Sequence, residues 1–253
     1  MRSRGGEGGA VRPLTAEERA EEDRLKIARQ RPLLRGVSHL LAFFVSLYTG
    51  WRLFSRAPPG TEMAVLLYCF GVSSVFGASG FLHVPTWSWR FYRPLRMLDH
   101  SMVFILIATT YNVLSVLPGG GRAIIWIGWI GAVFGVLQKV VFFELVEKGP
   151  KWITSIPYLV LGWCSLWELQ RISYYSHFCG VEGILICFIG GVAVTIGAVC
   201  YSLKKPNLWP GVFGHHEILH LGVIVAVYCF YFCFDLVLQA YPERILSESN
   251  KFQ

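Results

Sequence analysis

Three histidines, an aspartate and a serine in this chain have types and spacings suited to metal chemistry. His216-Glu217-Ile218-Leu219-His220 opens a long apolar run. On a helix, positions four apart lie one turn above the other on the same face, so both imidazoles can reach one ion. The bland alternative is a pair of interfacial histidines whose rings sit in the polar boundary of a membrane. Ser79 and His83 share the same four-residue spacing, and Asp99 stands in a Leu-Asp-His string at the start of another apolar run.

The elements that must position these residues are membrane spans. Of 253 residues, 54% are hydrophobic and 15% charged, against roughly 25% charged in a typical soluble domain. Apolar runs of about 20 residues are the unit that crosses a bilayer. Seven are expected: Leu34–Leu53, Met63–His83, Met97–Leu117, Ala123–Phe143, Trp152–Leu169, Gly183–Leu203 and Glu217–Leu238. The fifth is the weakest, being short and carrying Pro157 and Glu168. The expected architecture is therefore an all-α integral membrane protein, a seven-transmembrane-helix bundle with short connections. Residues 1–33 are expected as a cytoplasmic tail, partly disordered with a short charged helix; residues 34–238 as the transmembrane domain; residues 239–253 as a short C-terminal tail.

Orientation follows from lysine and arginine, which favour the cytoplasmic side. With the N-terminus inside, seventeen of the 23 basic residues fall on the inner side and six on the outer. The same asymmetry accounts for the net charge of +7 without nucleic acid, for which no binding motif is present. A cytoplasmic N-terminus brings the end of the second span, with Ser79 and His83, to the depth where the third begins with Asp99 and the seventh with His216 and His220. Three neutral imidazoles leave one position of a tetrahedral zinc open for water. Asp99 would hold that water or a ligand imidazole, and Ser79 would add a supporting hydrogen bond. Singly, Asp99 is better explained by an ion pair with Arg96 or His100, and Ser79 by a bond to its own helix; together with three histidines at the same depth, those explanations give way.

Other features carry less chemistry. Six of the seven cysteines fall inside spans and read as small packing residues. The start MRSRGGEGGA has no apolar core, so no cleavable signal peptide is expected. Thr15-x-x-Glu18 is a capping-box pattern for a tail helix that Glu22 and Lys26, four apart, would support. Gly128, Gly131 and Gly135, and Gly190, Gly191 and Gly197, are expected at close helix contacts. Ser38-His39, at the cytoplasmic start of the first span, could line the same cavity, but structural hydrogen bonding is the stronger expectation. His100 and His215 adjoin stronger candidates and point elsewhere on their helices.

Taken in order, Ser79-x-x-x-His83, Leu98-Asp99-His100-Ser101-Met102-Val103-Phe104-Ile105-Leu106-Ile107-Ala108 and His216-x-x-x-His220 resemble the progestin and adiponectin receptor (PAQR) / hemolysin III family. The likeness runs from Gly36-Val37-Ser38-His39 to residue 238 and leaves out the tail. It implies seven helices, a cytoplasmic N-terminus and a zinc ion near the cytoplasmic face. By that resemblance His83, His216 and His220 are the zinc ligands, with Asp99 and Ser79 beside the metal and in the catalytic role. Thr110-Tyr111-Asn112-Val113 stands where many bacterial relatives have Tyr-Thr-Pro, which separates the metal site from any inference about substrate.

The leading expectation is a multi-pass protein of the plasma membrane or an internal membrane. It would be a zinc-dependent, ceramidase-like hydrolase of a sphingolipid or other fatty-acyl amide, or a receptor derived from one; a homo-oligomer stays open. A receptor without turnover is the alternative. His216-Glu217-x-x-His220 also matches the metalloprotease string with Glu217 as general base, but Asp235 lies about 22 Å farther along the same helix. A pore is the weakest reading, because the embedded polar residues gather at one end.

Overall fold

A computed structural model describes residues 12–16, 18, 19, 22, 32–116, 121–142, 149–165 and 172–249. It is all-α, with seven named helices among the described residues: α1 Val37–Phe54, α2 Glu62–His83, α3 Trp89–Val116, α4 Arg122–Val141, α5 Trp152–Trp163, α6 Ile172–Leu203 and α7 His215–Ser249. Each α helix pairs its own backbone polar groups, which is what a chain in hydrocarbon must do. α2, α4, Arg90–Val116 of α3, Gly180–Leu203 of α6 and His215–Ala240 of α7 are long and apolar enough to cross a membrane. The protein is an integral, multi-pass membrane protein.

Three expected bounds shift. α3 starts at Trp89 rather than Met97 and contains Pro94. α6 starts at Ile172 and breaks at Gly180, whose φ of 68° and ψ of 173° suit a residue without Cβ. α7 continues to Ser249, so the stretch after Leu238 expected as a tail is helical there; polarity marks where a helix leaves the bilayer, not where it stops. In the weak fifth span α5 covers Trp152–Trp163, and the expected stretch beyond Ser165, with Glu168, lies outside the described residues, as does Lys26.

The helices form a ring in chain order, closed by contacts of α1 with α7. Glycines set the close approaches. A Cβ on Gly135 would come 2.4 Å from the Phe104 ring, and one on Gly197 would come 2.9 Å from the Leu219 Cα. α6 and α7 therefore touch nearly backbone to backbone, the use expected of small residues where no water drives helices together. Leu41, Phe44 and Trp51 of α1 and Trp126, Ile130 and Phe134 of α4 face outward and exposed. That outer surface is suited to lipid. Inside, Leu53, Val65, Phe76, Phe234 and Leu238 are buried in one cluster, and the Tyr68 hydroxyl ties α2 to α7 by donating to the Val227 carbonyl at 3.1 Å.

Between α3, α5, α6 and α7 lies a cavity of about 310 Å³ lined mainly by apolar side chains, among them Leu106, Tyr158, Phe188, Leu219 and Val223. Before α1, Thr15 and Glu18 make both hydrogen bonds of a capping box: the Thr15 N–H donates to Glu18 Oε2 at 2.8 Å, and the Glu18 N–H to Thr15 Oγ1 at 3.2 Å.

Candidate metal centre

α2 ends and α7 begins at the same end of the bundle, which brings His83 to His216 and His220. The ring of His83 lies 4.9 Å from that of His216 and 5.4 Å from that of His220, and the two α7 rings are 4.7 Å apart. One ligand atom from each of the three falls within 4.8 Å of the others. A tetrahedral zinc with Zn–N bonds of about 2.0–2.1 Å wants its donors about 3.4 Å apart, a closure that side-chain rotation can supply. His83 and His220 are buried, and His220 Nδ1 has no hydrogen-bond partner. A buried imidazole nitrogen left bare costs free energy that a metal bond would remove. The three-histidine group can hold a metal ion. An all-imidazole donor set suits zinc, copper, iron or nickel rather than calcium or magnesium.

α3 enters at the same end and delivers Asp99. Its Oδ2 stands 3.8 Å from His83 Nε2 and 4.0 Å from His100 Nε2. Ser79 is buried one turn before His83, and its side chain and the Arg96 charge both lie near the Asp99 carboxyl. The two explanations of Asp99 thus meet in one place, because the carboxylate neighbours both a prospective ligand and Arg96. His100 turns its carbonyl to the Tyr158 hydroxyl, which donates at 3.2 Å. Tyr158 also lines the apolar cavity, so a single side chain joins that cavity to the segment carrying Asp99. Tyr201 of α6 meets His216 edge-on, with centroids 5.2 Å apart at 90°. His215 leaves the cluster to pair with Asn207 Oδ1 at 3.0 Å.

Glu217 is occupied elsewhere. Its Oε2 accepts the Gly214 N–H at 2.7 Å, capping the start of α7, while its Oε1 pairs with Arg35 Nε. Asp235 sits in the half of α7 away from the histidines, where it receives Arg56 at 2.9 and 3.1 Å and Gln239 at 2.8 Å. Neither carboxylate turns to the histidine cluster in the way a zinc protease needs.

Ser79, His83, Asp99, His216 and His220 thus gather at one end of the bundle, carried by α2, α3 and α7. A family model described as haemolysin-III related matches residues 27–231. The chain belongs to that family. It is similar to a protein named Hemolysin-3 homolog from Bacillus subtilis strain 168, 29% identical over 142 residues that make up 55% of this chain and 61% of that protein. It is also similar to one named Hemolysin-3 from Bacillus cereus, 27% identical over 188 residues, 69% of this chain and 76% of that protein. All five residues of the cluster fall inside the matched range.

Several residues around the cluster carry no motif in the sequence. Arg35, Gly36, Tyr158 and Tyr201 act through tertiary contacts alone. Lys139 counts in the sequence only as one more basic residue near a span end, yet it is 1% exposed. Its ammonium lies 4.9 Å from the Tyr158 ring centroid and 5.7 Å from that of Phe104, an arrangement in which the ring faces stabilise the cation.

Proposed function

We propose that this haemolysin-III related protein is a zinc-dependent hydrolase of a lipid amide such as ceramide, or a receptor descended from one. The observation that carries the reading is the position of three histidines within 4.8 Å of one another, beside a carboxylate. His83, His216 and His220 would hold the ion at the cytoplasmic end of the bundle. Zinc, when bound, supplies Lewis-acid polarisation of a carbonyl and of water.

The chain's own residues supply the rest. Asp99 takes a proton from water at a carboxylate oxygen as the water oxygen bonds to the amide carbon, and delivers it to nitrogen as the C–N bond breaks. Ser79, close to that carboxylate, would donate its hydroxyl to it and fix its orientation. The cavity receives an acyl chain and keeps bulk water from it; its size lies at the small end of ligand pockets, roughly 300–1,000 Å³. Leu219 and Tyr158, both on its wall, adjoin the segments of His220 and Asp99, so a chain lying in the cavity would point its head group at the cluster. A receptor without turnover would keep the metal and the cavity and lack only the reaction.

The test is metal analysis of the purified protein followed by ceramide hydrolysis in detergent. About one zinc per chain is expected, lost when His83, His216 and His220 are all replaced by Ala. Asp99→Asn should retain the metal and lose roughly 10²–10⁴ in rate. Full zinc retention in the triple variant overturns the site, and turnover unchanged in Asp99→Asn overturns the role of Asp99.

A further inference from the structure

The segment leading into α1 touches every prospective ligand helix within seven residues. Leu33 and Leu34 donate their backbone N–H groups to the carbonyls of Gly211 and Val212, at 3.0 and 3.3 Å, in the loop before α7. Arg35 pairs with Glu217, the residue after His216. Gly36 has φ of 79° and lies so close to His83 that a Cβ there would come 2.5 Å from His83 Cβ. His39 stacks on His220, with ring centroids 3.9 Å apart and planes 15° from parallel, and its Nε2–H donates to the His220 carbonyl at 3.2 Å. His39 is 3% exposed.

We propose that Leu33–His39 is a clasp that positions the metal centre, holding His83 through Gly36 and His220 through His39, with Arg35 fastening the start of α7. The inference rests on the reading that the three histidines hold a metal. The physical reason is that α2 and α7 reach the site from opposite chain directions, and the two α7 ligands need a fixed ring plane to share an ion with His83. A stacked imidazole sets the plane of His220. A glycine with positive φ lets the chain pass directly over His83, where any side chain would push that ring away. Groups that orient metal ligands in this way are worth 10–100-fold in metal affinity.

The purified full chain is loaded with zinc, and the rate of zinc loss to a chelator is measured for wild type, His39→Leu, Gly36→Ala, Arg35→Gln and Arg56→Gln. The visible spectrum of the cobalt-substituted proteins is recorded alongside. Arg56 pairs with Asp235 at the other end of the bundle and reports loss of stability alone. His39→Leu keeps the site apolar and filled but removes both the stacked ring and the hydrogen bond, so it tests the clasp even where Gly36→Ala fails to fold. The clasp variants should release zinc at least about 10-fold faster and shift the cobalt bands, while Arg56→Gln leaves both at the wild-type value. Wild-type release and spectra in His39→Leu and Arg35→Gln overturn the clasp, as does equal acceleration in Arg56→Gln. A wild-type chain that takes up neither metal overturns the metal reading itself.

Discussion

Replacing Glu217 with glutamine separates the three-histidine hydrolase from the metalloprotease that the string His-Glu-x-x-His spells. Glu217 is 1% exposed at its side chain and Arg35 is 18% exposed. Breaking a fully buried ion pair from one side costs about 3–5 kcal/mol. Two features reduce that cost here. Arg35 still reaches solvent, and glutamine keeps a carbonyl oxygen that can accept the Gly214 N–H. The expected loss of stability is therefore about 1–3 kcal/mol, which for a chain of this size lowers the melting temperature by roughly 3–10 °C. Because Glu217 fastens Arg35, zinc release should quicken. The turnover rate of the fully loaded protein should stay within a few-fold of wild type. A general base in a zinc protease would cost roughly 10²–10⁴ in rate on the same change. The assay pairs thermal unfolding in detergent with lipid-amide and casein hydrolysis at saturating zinc. A loss beyond about 100-fold with an unchanged melting temperature would refute the structural role of Glu217 and reinstate the protease.

Two further outcomes follow from the fold. With seventeen of 23 basic residues on the N-terminal side, a tag at residue 1 should be protected in intact cells and one after Gln253 accessible; the opposite labelling would put the histidine cluster on the outer face. Val223→Trp, which adds bulk on the cavity wall, should weaken displacement of a fluorescent ceramide analogue at least several-fold while zinc content is unchanged, and undiminished binding would place the lipid elsewhere.

What the sequence determined by itself is what depends on local periodicity and composition. Long apolar runs have to become helices, since hydrocarbon offers no other partner to the backbone, and the four-residue spacings of Ser79 with His83 and of His216 with His220 place each pair on one helix face. Alternating span direction then brings Asp99 to the same end, so the cluster was legible before any contact was known. The capping box at Thr15 and Glu18 was equally local. Tertiary structure alone decided what each group touches. The motif around Glu217 permits a catalytic base, yet Arg35, far away in the chain, takes that carboxylate. Gly36 and His39 stand in the sequence only at the start of the first span, and they lie against His83 and His220 because α1 packs between α2 and α7. Lys139 is buried because the Phe104 and Tyr158 rings close over it. The ends of α3, α6 and α7 moved for a related reason: hydropathy reports where lipid stops, while a helix continues as long as its backbone hydrogen bonds and neighbours support it.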